Sequence, residues 1–99
     1  MPTPSLYVVT LRFADKSKAS AHLADHNAWL QRGFEDGAFL LSGGLQPNAG
    51  GAIFVHGLAR AALEARLKED PFVAHGVVTT EITEIAASRT DPRLAFLTA

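Results

Sequence analysis

Apolar residues recur along the chain at two spacings, and the alternation between them predicts the elements. Ser5 to Phe13, with Leu6, Tyr7, Val8, Val9 and Leu11, is rich in strand-forming side chains and reads as a first strand. Ala14-Asp15-Lys16-Ser17 reads as a turn. From about residue 17 to 36, Leu23, Trp29, Leu30 and Phe34 form a stripe near 3.6-residue spacing, which predicts an amphipathic helix. Ser17 is its expected cap, and Gly37 suits the left-handed position just past its end. Ala38 to Ser42 is nearly all apolar, as in a strand buried on both faces. Gly43-Gly44 and Gln46 to Gly51 are expected turns or loop. Ala52 to His56 is a third strand. Leu58 to Glu69 is a second helix with Leu58, Ala62, Leu63 and Leu67 inward. Asp70-Pro71 ends it, because the residue before proline is pushed out of helical geometry. Val77 to Ile85 is a fourth strand, and Ala86 to Ala99 is a tail whose Leu94, Phe96 and Leu97 need something to pack on, a partner subunit being one candidate.

The order β-α-β-β-α-β predicts an α+β fold of the ferredoxin-like kind. Two helices cover one face of a four-stranded antiparallel sheet. The whole chain, 1–99, reads as a single domain, with a core of about 5–86 and a C-terminal tail of 87–99. The second sheet face needs cover, since large apolar patches are rare on soluble monomers. Pairing two copies face to face supplies it.

Composition narrows the function classes. The 99 residues are 47% hydrophobic and 19% charged, a globular balance. A net charge of -1 argues against a nucleic-acid binder, and the nine Lys and Arg are too scattered for a membrane-binding patch. No apolar run is long enough to span a bilayer. With no cysteine, disulfide scaffolds, thiolate metal sites and cysteine nucleophiles are excluded, and a reducing cytoplasm is the expected home. Met1-Pro2-Thr3-Pro4 has none of the features of a signal peptide.

The candidate chemistry lies at helix-to-strand junctions. His26 on the first helix and Asp70 at the exit of the second can meet across a small sheet as an acid/base pair. Imidazole titrates near neutrality, and a carboxylate beside it fixes its tautomer and stabilises the imidazolium. The residues alone also accommodate a plainer reading, in which Asp70 terminates a turn before Pro71 and His26 is a partly buried helix residue. His22 and His26 stand four apart on one helix face, a metal-ligand spacing that lacks a third ligand, so no metal is expected. Ser42 offers a hydroxyl to a ligand, with Gly43 and Gly44 allowing close backbone approach, unless Gly43-Gly44 simply makes a tight turn. Tyr7 could orient a substrate if its strand face lines the cleft. The orientations of His56 and His75 cannot be read from spacing.

His26, Trp29-Leu30, Gly37, Leu41-Ser42-Gly43-Gly44-Leu45, Gly51, and Asp70-Pro71-Phe72 leading into Gly76-Val77 together carry a resemblance. From about residue 6 to 85 the chain resembles the YCII-related family of the dimeric α+β barrel superfamily. The resemblance implies a homodimer, a cleft beside the sheet in each subunit, and His26 and Asp70 as the active pair. It also implies kinship with isomerases and dehalogenating enzymes acting on aromatic or lactone compounds. Two departures stand out: Ala21-His22-Leu23 occupies the region where the family often has an arginine, and His75 stands where a small residue is common. The first puts anion recognition in doubt; the second would alter the cleft wall. The expected function is cofactor-independent proton transfer, of lyase or isomerase type, on a small organic molecule. The alternative is a non-catalytic metabolite-binding or accessory dimer. A haem-handling member of the superfamily is a third, weaker reading, with no haem-ligand signature beyond His56 or His75.

Overall fold

In a computed structural model, which describes residues 6–98, the chain forms β1 (Leu6–Phe13), α1 (Ala19–Glu35), β2 (Phe39–Leu45), β3 (Gly50–Val55), α2 (Arg60–Lys68), α3 (Pro71–Ala74) and β4 (Val78–Ile85). The expected strand start at Ser5 and the Met1–Pro4 segment lie outside the described residues. The sheet order is β2-β3-β1-β4 and every neighbouring pair is antiparallel, the ferredoxin-like arrangement.

The alternation in β1 sets the layers. Tyr7, Val9 and Leu11 are buried, while Leu6, Val8 and Thr10 on the other face are only half-buried. The buried face meets Trp29 of α1, Leu63 and Leu67 of α2, and Phe72 of α3 in one core. Trp29 also donates its indole N–H to the Arg66 carbonyl at 3.1 Å, which ties α1 to α2. Gly33 is buried in α1 because a Cβ there would overlap the Phe39 ring. A glycine inside a helix costs about 1 kcal/mol relative to alanine, and the close packing of α1 on β2 is what offsets it.

Several expectations change. β2 is an edge strand and is not buried on both faces: Leu41 is 50% exposed. Gly43-Gly44 is not a turn but continues β2, and neither glycine has a positive φ. The chain reverses instead between Leu45 and Gly50, where Ala49 N–H donates to the Leu45 carbonyl. Ser17 does not cap α1. Asp15 caps a short 3-10 turn (Lys16–Lys18), accepting from the Ser17 backbone, and α1 follows with no side-chain cap. Phe34, expected in the core stripe, is 39% exposed. Gly37 takes φ 83°, as its position past α1 requires. The second helix is shorter than its pattern, and Asp70-Pro71 does more than end it: it starts α3. The tail forms a 3-10 segment (Pro92–Thr98) that packs on its own subunit, with Leu97 buried and the Phe96 ring edge-on to His56 at 5.1 Å.

Candidate active site

Asp70 sits where α2 hands over to α3. Its extended backbone (φ -69°, ψ 122°) and the following Pro71 form a helix start, and its side chain caps α3. Oδ1 accepts the Phe72 N–H at 3.0 Å and, from α1, lies 2.8 Å from His26 Nδ1. Asp70 is fully buried, and its Oδ2 has no hydrogen-bond partner among the described residues. The His26 side chain is 12% exposed. Its ring lies parallel to Phe72, with centroids 4.0 Å apart and planes 4° from parallel. The imidazole is therefore fixed on one edge by the carboxylate and on one face by an aromatic ring.

This geometry assigns the two ring nitrogens. A carboxylate accepts hydrogen bonds, so Nδ1 carries the proton it donates to Asp70, and in the neutral ring Nε2 is left with a free lone pair. Nε2 is on the edge away from Asp70, and His26 lines a cavity of about 230 Å³ between α1, α3 and the sheet. The walls are mostly apolar, with Leu11, Phe13, Leu30, Ile53, Phe72 and Val78 prominent; the polar side chains are His26, Asn27 and Ser42. An imidazole at the wall of a mostly apolar cavity can take a proton from, and return it to, a small bound molecule.

Ser42 reaches the cavity through an irregularity in β2. Phe39 pairs with Val55 and Leu41 with Phe54, so Leu40 is an extra, bulged residue. Without the bulge, Phe39 and Leu41 would share a face. With it, Ser42 pairs with Ile53 and turns to the helix side, while Leu41 turns to the open side. Ser42 and Gly43 thus both line the cavity with His26.

Tyr7 does not join them. It lies on the helix-facing side of β1, as its alternation implies, but four residues from Leu11, or about 13 Å along a strand. It is fully buried, and its hydroxyl has no partner among the described residues. Burial, helped by nearby Glu84, raises its pKa above the usual tyrosine value. Its assignment to substrate orientation is therefore corrected to a core position.

The remaining histidines lie apart. His22 stacks on His75 at 4.0 Å, and neither lines the cavity, so His75 leaves the cleft wall unaltered. His56 sits 2.9 Å from the Gly37 carbonyl through Nε2, away from the cavity. Among the described residues no three His, Cys, Asp or Glu side chains gather in a way that could hold a metal ion. Sequence reasoning missed Asn27, Phe72 as a stacking partner, and the contribution of Gly51. Gly51 left no signal in the sequence, because its place inside β3 and on the helix-facing side is set by pairing with β1 and β2.

No helix is long and apolar enough to cross a membrane among the described residues. No curated protein matches the chain. Among solved structures, the fold is similar to 5-chloro-2-hydroxyhydroquinone dehydrochlorinase (TftG) from Burkholderia phenoliruptrix AC1100, in complex with 2,5-dihydroxybenzoquinone. The TM-score is 0.69 at 13% identity, over 80% of this chain and 91% of that one. At that identity the likeness concerns the fold. The model of the YCII-related domain matches residues 5–86, so the chain belongs to the YCII-related family.

Proposed function

We propose that the protein is a cofactor-independent enzyme that moves a proton within a small organic molecule. His26 is its general acid/base and Asp70 the group that orients and stabilises it. The observation that carries this reading is the 2.8 Å His26–Asp70 contact at the wall of a mostly apolar cavity. Nε2 takes a proton from a C–H or O–H of the bound molecule, and the imidazolium is held by the Asp70 carboxylate. The electron pair left behind forms a double bond. In an elimination, a leaving group departs with its own pair from the neighbouring atom. In an isomerisation, the imidazolium returns the proton to a different atom. In the elimination the imidazolium gives its proton to the departing group or to solvent, so in both reactions His26 ends neutral and no external oxidant or reductant is consumed. The dehydrochlorinase of similar fold, by its name an eliminating enzyme seen with a quinone, supports small cyclic molecules as the class to screen.

The proposal includes a homodimer. The sheet face away from the helices carries Leu6, Val8, Leu41, Phe54 and Ile85, and Leu41 and Ile85 are 50% and 39% exposed. A second copy would cover them, and sedimentation of the wild type against Leu41→Asp tests this: the variant should run as a monomer.

The decisive experiment is a screen for elimination and isomerisation on small cyclic compounds, with His26→Ala as control. Loss of turnover by about 10²–10⁴-fold with the fold intact is expected for removal of a general acid/base. A second reading, a non-catalytic metabolite-binding dimer, draws on the fact that Asp70 also caps α3, so the pair fastens α1 to α3. Binding of a small cyclic compound with no turnover by the wild type would select it, whereas a His26→Ala variant as active as the wild type would remove His26 from the chemistry.

A further inference from the structure

The cavity is open where two strands have no side chains. Gly44 of β2 and Gly51 of β3 are partners in the ladder, and Gly51 also pairs with Leu11 of β1. Residues directly opposite in an antiparallel pair point to the same side, so both glycines share the helix-facing side with buried Leu11 and Ile53. A Cβ on Gly44 would meet only the Gly50 carbonyl oxygen, at 3.8 Å, and would otherwise project into open space. A Cβ on Gly51 would come within 3.2 Å of the Gly43 carbonyl oxygen. Neither glycine has a positive φ, so backbone conformation does not require glycine at either place. What their missing side chains leave is the floor of the cavity.

The chemistry of the lining limits what can occupy that space. Among the described residues no lysine, arginine, aspartate or glutamate lines it. A carboxylate or phosphate placed there would lose its water with no lysine or arginine to replace it, and the charge of His26, when protonated, is already balanced by Asp70, so its burial is unfavourable. A neutral molecule pays no such penalty, and one with a hydroxyl finds His26, Asn27 and Ser42 as partners. An apolar cavity of about 150 Å³ accepts a benzene ring, and a polar atom occupies roughly 30 Å³. A volume of about 230 Å³ therefore takes one ring with two or three small substituents, and not two fused rings carrying the same groups.

We propose that the Gly44–Gly51 pair is the size-determining floor of a pocket for an uncharged, planar, single-ring molecule with one or more hydroxyls, whose hydroxyl meets His26. This rests on the acid/base reading for the role of His26, but its charge and size rules are independent of turnover. The test is an NMR titration of the full-length protein near neutral pH with phenol, benzoate and 2-naphthol. Phenol, un-ionised at this pH, should shift the His26 ring and the Gly44 and Gly51 amides. Benzoate and 2-naphthol at equal concentration should leave them in place. Gly44→Val should weaken phenol binding at least tenfold, and Gly44→Ala should fall between Val and wild type, with the spectrum of a folded protein in both. Benzoate binding as well as phenol, no phenol response at millimolar concentration, or unchanged phenol affinity in Gly44→Val would each overturn the proposal. The two readings fail separately. Phenol binding with a fully active His26→Ala removes the acid/base role and leaves the pocket assignment, and benzoate preference with an essential His26 does the reverse.

Discussion

Replacing Asp70 by alanine removes two hydrogen bonds that share one oxygen, and the cost can be worked from each. The bond to the Phe72 N–H is the side-chain cap of α3, and loss of such a cap costs about 1 kcal/mol. The bond to His26 Nδ1 joins a carboxylate to an imidazole in a nearly dry site, and bonds to charged groups contribute about 1.5–3 kcal/mol. Relief of the buried charge, including an Oδ2 with no partner among the described residues, works against these losses. A net loss of about 2–4 kcal/mol is expected, or a melting temperature lower by roughly 10–25 °C for a domain of this size. Urea unfolding followed by Trp29 fluorescence measures it well, because Trp29 is buried and its ring centroid lies 6.1 Å from that of His26. Protein concentration is held constant, since the proposed self-association would make stability depend on it. A double-mutant cycle then isolates the pair. His26→Ala in the Asp70→Ala background should cost at least about 1 kcal/mol less than in the wild type, as for other groups in direct contact. Strictly additive costs, or an Asp70→Ala loss below about 0.5 kcal/mol, would refute the view that the two side chains form one desolvated unit.

Two further substitutions test the packing. Tyr7→Phe removes a buried hydroxyl that has no partner among the described residues, so stability should hold or rise by up to about 1 kcal/mol in denaturant titration. Because burial raises the Tyr7 pKa, the unfolded chain releases this proton first as pH rises through about 10. The wild type should therefore lose stability above that pH more steeply than Tyr7→Phe, and parallel curves would contradict the assignment. Gly33→Ala gains about 1 kcal/mol of helix propensity but drives a methyl group into the Phe39 ring; overpacking of about 1–3 kcal/mol should win, and a raised melting temperature would show that α1 can yield there.

The layering of the fold was legible because it follows from local rules. Alternation in β1, the stripe around Trp29, Gly37 at a positive φ and the Asp-Pro break each depend on residues close in sequence. What was hidden depends on pairing between distant segments. The bulge at Leu40 is defined only by register against β3, and it decides that Ser42 rather than Leu41 faces the cavity. Burial of β2 was overestimated because an apolar run does not say whether its strand lies at a sheet edge. The parity of Tyr7 was read correctly, but parity does not give distance along a strand, and the cavity lies at the other end. His26 and Asp70 were named from sequence; that one carboxylate oxygen serves both His26 and a helix cap was not, because α3 is too short to leave a periodic signal.

That shared oxygen makes the Phe72 amide hydrogen a reporter of the site. Solvent exchange at this single proton requires Asp70 Oδ1 to let go, and the same release frees the His26 ring. The opening free energy read from its exchange rate is then the cost of dissolving the histidine's anchorage. It can be measured in the resting protein with no substrate in hand, and a bound ligand that tightens the pair would slow that one proton beyond its neighbours.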